Sequence, residues 1–181
     1  IESEENILGT ATFSDTYIFI KLEKRNWGFG VDDASGSDYF KNKINEIQNN
    51  GIKVVYFHGE ERDPLFYLFS KKGFVAGASL DEIKSNLSFN NGAPQISFVC
   101  VHGLRDACCA KFGYSIFLEL KKIGANVRQC SHLGGDRFAA NMIVFPGGNC
   151  FGHLRSLRSM NKNELSEKLV FSDNYRGCIF L

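Results

Sequence analysis

Cysteine and histidine residues are concentrated in two short stretches in the second half of this chain. The first, VCVHGLRDACCAKFG, contains Cys100, Cys108 and Cys109, and the second, RQCSHLGGDRFAAN, contains Cys130 and His132. Each stretch follows a strand-like run and leads into a polar turn. Thiolate and imidazole groups are protein ligands of iron–sulfur clusters and zinc ions. The pattern therefore predicts a metal centre held between two loops.

The first loop leads into a predicted helix, and Cys109 falls in the first turn of that helix. Unpaired amide groups and the helix dipole favour negative charge there, and Arg105 and Lys111 add positive charge. These effects are expected to lower the pKa of the Cys109 thiol and to favour a thiolate ligand. Neighbouring helical residues point about 100° apart, so either Cys108 or Cys109 is expected to join Cys100.

The second loop combines possible ligands with a glycine pair. Gly134 and Gly135 allow a close backbone approach or a positive φ, so Cys130, His132 and Asp136 lie within reach of one bound group. Sulfur and imidazole nitrogen suit iron or zinc, whereas a carboxylate is a poorer match for a sulfide cluster.

A thiol–disulfide enzyme is a competing prediction, with Cys108 or Cys109 as the nucleophile. Thioredoxin-like redox enzymes carry Cys-x-x-Cys at such a helix start, and this chain lacks that motif. A zinc-bearing structural or adaptor protein is a second alternative, because three thiols and one imidazole suit tetrahedral zinc.

The elements that must position these loops follow one order twice along the chain. The predicted elements of the first half are a strand at 16–22, a helix at 38–51, a strand at 53–59, a hairpin at 65–79 and a short helix at 80–87. Those of the second half are a strand at 95–103, a helix at 107–123, a strand at 126–130, a hairpin at 138–154 and a closing helix at 161–170.

Two β-α-β-β-α units in tandem predict an α/β protein with two thioredoxin-like lobes and mixed sheets. The sequence Gly-Ala-Pro at 92–94 is the expected junction. The predicted domains are therefore an N-terminal lobe at 1–94, without metal ligands, and a C-terminal lobe at 95–181 that carries the metal centre.

Composition limits the classes of function. The chain has 181 residues, 44% of them hydrophobic, which is enough for a complete core. No apolar run approaches the roughly 20 residues of a membrane-spanning helix, and no basic, aromatic surface for nucleic acid stands out. All six cysteines lie at or after position 100 and include an adjacent pair, unlike a secreted disulfide framework. We expect a reducing compartment, either the cytoplasm or an organelle matrix such as that of mitochondria.

Charge is distributed unevenly between the two halves. Residues 1–94 carry a formal net charge of −4 and residues 95–181 one of +5, which together give the net +1 of the chain. The positive half is the one that holds the cysteines. Because a thiolate-ligated metal centre is anionic, surrounding positive charge would stabilise it.

Four segments of the chain carry a family resemblance: CVHGLRDACCAKFG, CSHLGGDRFAANMIVFPGG, CFGHL and, upstream, LGTATFSDTYIFIKLEKRNWG. They resemble the sucrase/ferredoxin-like family, a branch of the thioredoxin-like 2Fe-2S ferredoxins. The resemblance covers roughly residues 8–155. It implies a thioredoxin-like ferredoxin fold and a 2Fe-2S cluster on a Cys-x8-Cys pair and a His-x-x-x-His pair. The matching positions are Cys100, Cys109 and His132, while Asp136 stands where the second histidine is expected.

The resemblance therefore implies a modified ligand set. Cys130, a better iron ligand than a carboxylate, is expected to supply the fourth ligand beside Cys100, Cys109 and His132. Asp136 is the alternative fourth ligand, or an acceptor that orients the imidazole. The implied function is one-electron transfer to redox proteins or within a larger complex, rather than stand-alone catalysis. A cluster-less structural subunit of such a complex is the alternative.

Overall fold

The computed structural model of the chain describes residues 6–83, 92–155 and 172–180. The two α-helices of this part are α1 at Asp38–Asn49 and α2 at Ala107–Lys122. Its nine strands, β1 to β9, are Thr16–Lys21, Lys53–His58, Phe66–Ser70, Gly73–Gly77, Ile96–Cys100, Val127–Cys130, Met142–Phe145, Asn149–Phe151 and Tyr175–Cys178. Neither helix is long and apolar enough to cross a membrane.

All nine strands belong to one mixed sheet, in the order β4-β3-β1-β2-β6-β5-β7-β8-β9. In the first half, β1 runs parallel to β2 and antiparallel to β3, which pairs with β4. In the second half, β5, β6, β7 and β8 repeat these relations. The halves meet where β2 and β6 pair antiparallel through Phe57–Cys130 and His58–Gln129. The protein is therefore a mixed α/β structure; its thioredoxin-like character and the division at residue 94 stay predictions.

Both helices pack on one face of the sheet. Ser37 caps α1 by accepting a hydrogen bond from the Phe40 amide at 3.2 Å, and the helix buries Ile44 and Ile47. Helix α2 buries Ile116 and Leu120 in the same apolar cluster. The apolar positions recur every three to four residues, as expected for helices with one buried face.

The opposite face carries an aromatic core, because the sheet curls and brings the two halves together. Phe19 of β1 stacks on Phe98 of β5 with ring centroids 3.9 Å apart. Phe69 of β3 stacks on Phe145 of β7 at 3.7 Å. Each stack joins corresponding strands of the two halves. Aromatic pairs of this kind bury large areas and favour a fixed geometry.

A buried ion pair also joins the halves. Asp63, in the β2–β3 loop, accepts two hydrogen bonds from Arg128 of β6, at 2.5 Å from Nε and 2.6 Å from Nη2. The side chains are only 3% and 6% exposed. Burial tends to raise the pKa of Asp63, but the bonds from Arg128 and from the Glu60 amide outweigh it, and the pKa lies below its ordinary value.

The structure departs from the predicted elements in three places. The strand expected from residue 138 begins only at Met142, because a 3-10 helix at Asp136–Phe138 follows Gly135, whose φ is 72°. Of the helix expected at 80–87, the structure describes only residues 80–83, and these form a 3-10 turn over Leu80–Glu82. Strand β9 was not predicted, and the expected helix at 161–170 lies outside the described residues.

Candidate metal centre

Three of the predicted ligands meet at one edge of the sheet. Cys100 ends β5, Cys109 lies in the first turn of α2, and His132 follows β6. Their ligand atoms all lie within 4.8 Å of one another, and Cys109 Sγ is 4.0 Å from His132 Nδ1. The two loops converge because β5 and β6 are parallel neighbours, so their carboxyl ends lie at the same edge.

The phase of α2 resolves the choice between the adjacent cysteines. Asp106 caps the helix by accepting a hydrogen bond from the Cys108 amide at 2.7 Å. With the helix fixed in this way, Cys109 is buried and faces the other two donors, whereas Cys108 is exposed. Cys109 is therefore the residue that joins Cys100 in this group.

Close packing of α2 on β5 holds the two cysteines together. A Cβ atom at Gly113 would overlap the carbonyl oxygen of Cys100 and lie 3.0 Å from its carbonyl carbon. Only glycine allows this approach. The Cys100 amide in turn donates to the Asn141 carbonyl at 3.0 Å, which fixes the end of the strand.

The residue before His132 is held by the first half of the chain. The Ser131 amide donates to the Tyr56 carbonyl at 2.8 Å. The Tyr56 amide donates to Ser131 Oγ at 2.9 Å. Ser131 is therefore fixed at both its backbone and its side chain, and this limits the positions open to the imidazole.

Beyond His132, two polar side chains support the glycine turn. Gly134 and Gly135 have φ values of 88° and 72°, so the predicted need for glycine is confirmed. Arg176 of β9 donates to the Gly134 carbonyl at 3.2 Å, and Asn141 donates to that of Gly135 at 2.8 Å. Sequence reasoning missed these supports because no local pattern connects Arg176, which lies far along the chain, with this loop.

Electrostatics distinguish the two clustered thiols. The pKa of Cys100 is held well below its usual value by a hydrogen bond with Cys109, then by one with His132 and by the His102 amide. The pKa of Cys109 is raised, first by sharing that hydrogen bond with Cys100 and then by burial. The lowered pKa expected at Cys109 is found instead at Cys100, its partner in this hydrogen bond.

Cys130 and Asp136 lie outside this group of three donors. Cys130 is aligned with Cys100 across β5 and β6, and burial raises its pKa well above the ordinary value. Asp136 is exposed, with Oδ1 3.7 Å from His132 Nε2. That position suits an acceptor that turns Nδ1 toward Cys109. A ligand role for Cys130 or Asp136 stays a prediction.

The donor set fits the groups predicted from the sequence. Two thiols and an imidazole within 4.8 Å of one another are soft and borderline donors, which favour iron–sulfur clusters and zinc over magnesium or calcium. Tetrahedral zinc with Zn–S bonds of about 2.3 Å would place its ligand atoms about 3.8 Å apart. The three ligand atoms would move together by up to about 1 Å around such an ion.

A second histidine lies beside the three donors. His102 is 4% exposed, and neither of its ring nitrogens has a hydrogen-bond partner among the described residues. Burial lowers the pKa of His102, while the nearby Cys100 and then the Gly28 backbone oppose that shift. His102 and His132 both line a cavity of about 220 Å³ that adjoins the site.

Comparison with known proteins identifies the family. A family model described as sucrase/ferredoxin-like matches residues 7–177. No curated protein matches the chain, and no solved structure does. The match covers the strands and loops that carry all the candidate ligands, and with it the resemblance inferred from the sequence is confirmed. The chain belongs to the sucrase/ferredoxin-like family.

Proposed function

We propose that this protein is a one-electron carrier that holds a 2Fe-2S cluster on Cys100, Cys109 and His132. Cys130 or Asp136 supplies the fourth ligand. The observation that supports the proposal is the meeting of two thiols and one imidazole, from separate loops, within 4.8 Å. When bound, the cluster supplies reversible one-electron transfer.

The surrounding residues suit an anionic group at this position. Cys100 and Cys109 bring negative charge to the N-terminal end of α2, where free amides and the helix dipole favour it. His132 is a neutral donor, so it lowers the total negative charge relative to an all-cysteine site. A smaller negative charge favours the reduced state and raises the midpoint potential. Asp136, beside Nε2, would keep the imidazole oriented.

Zinc is the second candidate, because three ligand atoms within 4.8 Å also suit a single tetrahedral ion. A zinc-bearing protein would be a structural subunit of a redox assembly rather than a carrier. A thiol–disulfide protein is less well supported, since Cys109 is buried and the exposed Cys108 lies outside the donor group. The proposed setting is a reducing compartment with protein redox partners and without nucleic acid.

Spectroscopy of the protein purified without oxygen separates these functions. The carrier is expected to be red-brown, to contain about two irons and two sulfides per chain, and to give a paramagnetic resonance signal after dithionite reduction. A colourless protein with one zinc would replace the carrier by the structural alternative. Turnover of a disulfide substrate by metal-free protein would support the thiol–disulfide alternative.

Matched serine variants test the individual ligands. Cys109→Ser should lose the visible absorption, whereas Cys108→Ser, a change at the exposed neighbour, should keep it. Cys130→Ser and Asp136→Asn then identify the fourth ligand, because only the variant that removes it should lose or shift the spectrum. Loss of the spectrum in Cys108→Ser alone would contradict the assignment of Cys109.

The role of His132 can be tested through the midpoint potential. His132→Cys replaces a neutral donor by a thiolate, so the potential should fall. Measurement is by redox titration of the visible spectrum. An unchanged potential would mean that His132 is not a ligand.

A further inference from the structure

The cavity beside His132 has features of a binding site for a second molecule. Its volume is about 220 Å³, somewhat below the range of about 300–1,000 Å³ typical of pockets for drug-sized ligands. A molecule of one ring or a short chain is therefore the right size. Phe29, Val31 and Tyr56 give it apolar walls, and His102, Arg105 and Ser131 bring polar atoms to it.

The buried imidazole of His102 is the first sign that a ligand belongs here. Only 4% of the residue is exposed, and neither ring nitrogen has a hydrogen-bond partner in the described part of the chain. Buried polar groups in folded proteins are nearly always paired. A ligand in the cavity would supply the missing partner.

The other polar groups of the cavity are mainly donors. Ser131 Oγ already accepts a bond from the Tyr56 amide, so its hydroxyl proton is left to donate. The Arg105 guanidinium lies over the Phe29 ring, 4.4 Å from its centroid, and no hydrogen bond or ion pair to Arg105 occurs within the described residues. The Tyr56 hydroxyl donates to the Val31 carbonyl at 2.9 Å, so its proton is not available to a ligand.

This cavity has several hydrogen-bond donors, one permanently charged guanidinium group and few acceptors. Such a lining favours a ligand with an anionic acceptor group. We propose that the cavity binds a small organic carboxylate, with the carboxylate held by Arg105, His102 and Ser131 and the apolar part against Phe29 and Tyr56. Charge-assisted bonds to a guanidinium are about twice as strong as neutral ones. None of these contacts involves a metal, so the proposal stands apart from the function proposed above.

Calorimetric titration of the protein as purified, with benzoate as the probe, tests the proposal. Benzamide is the control ligand, because it has the same ring and size but no charge. Benzoate should bind one equivalent with a Kd on the order of 1 mM or tighter, and benzamide at least tenfold more weakly. The single tryptophan, Trp27, lies edge-on to His102 at 5.7 Å, so its fluorescence should change with the same Kd.

Variants locate the binding. Arg105 is exposed, so Arg105→Gln should leave the fold intact and weaken benzoate at least tenfold. Lys122→Gln removes the same charge at the other end of α2, about 22 Å along the helix, and should have no effect. His102→Phe keeps a buried ring without its nitrogens and should also weaken binding.

Three results would overturn the proposal. One is the absence of saturable benzoate binding, and another is equal affinity for benzamide. The third is an equal loss of affinity in Arg105→Gln and Lys122→Gln, which would show that only overall charge matters. All three can be read from calorimetry whether the protein carries iron, zinc or neither, so failure here is distinguishable from failure of the carrier proposal.

Discussion

Helix α2 must pass close to the end of β5 if Cys109 is to reach Cys100, and at Gly113 the helix lies directly against the Cys100 carbonyl. Gly113→Ala adds a single methyl group there, and that group would overlap the Cys100 carbonyl oxygen. In an isolated helix the same change is favourable by about 1 kcal/mol, because alanine has the higher helix propensity. Any loss of stability in the Gly113→Ala protein therefore comes from the overlap with the Cys100 carbonyl oxygen.

The size of the effect follows from the geometry. Carbon–oxygen contacts begin at about 3.3 Å, so the helix and strand must separate by on the order of 1 Å. Overpacking of this kind costs about 1–3 kcal/mol. Metal–ligand distances vary by only about 0.2 Å, so the displaced Cys109 should fail as a partner of Cys100. We expect metal affinity to fall at least tenfold, as for changes that disturb ligand orientation.

The assay compares metal content, visible absorption and thermal unfolding of Gly113→Ala with those of Ser115→Ala. Ser115 is exposed on the same helix, so its replacement raises helix propensity without a collision. The control should keep its metal and its melting temperature. If Gly113→Ala also keeps full metal content and stability, the close packing of α2 on β5 is not what forms the site.

Three further changes have defined outcomes. Asp63→Asn should cost about 3 kcal/mol at pH 7, because the buried Arg128 charge then keeps, among the described residues, only Glu60, 4.0 Å away, as a carboxylate partner. Because the pKa of Asp63 lies below its ordinary 3.8, the difference in urea unfolding from the native protein should persist down to that pH and shrink below it; a constant difference would contradict the pairing. Asp136→Ala should weaken metal binding about tenfold in a chelator competition, because His132 loses the carboxylate that lies 3.7 Å from its Nε2; equal affinities would exclude an orienting role for Asp136. The planar guanidinium of Arg176 bonds to the Gly134 carbonyl, and a lysine side chain cannot reproduce its set of donors. Arg176→Lys should therefore lower stability by about 1–3 kcal/mol; an unchanged melting temperature would show that the hydrogen bonds of Arg176 contribute little.

The elements that depend on local signals could be predicted from the sequence. Helix α1 lies within the predicted range 38–51, where a cap at Ser37 and the apolar spacing of Ile44 and Ile47 form it. The meeting of Cys100 with His132 also follows from local patterns, since two parallel strands place their following loops at one edge. Both features need only short stretches of chain to be interpreted correctly.

Features that depend on distant contacts could not be predicted. Strand β9 pairs with β8 although residues 156–171 separate it from the rest of the described chain. Its Arg176 then supports a loop about 40 positions earlier in the sequence. The residues of the first loop alone left Cys108 and Cys109 open, and the family resemblance favoured Cys109. The phase of α2, which changes by about 100° per residue, brings Cys109 beside the other two donors.

The paired bonds between Tyr56 and Ser131 mean that the half of the chain without metal donors takes part in forming the site. A fragment that began near residue 95 would keep all the candidate ligands but lose β2, and with it both bonds to the residue before His132. The smallest unit with the complete candidate site therefore includes both halves. Inactivating substitutions should accordingly be sought in the cysteine-free N-terminal part as well as among the ligands.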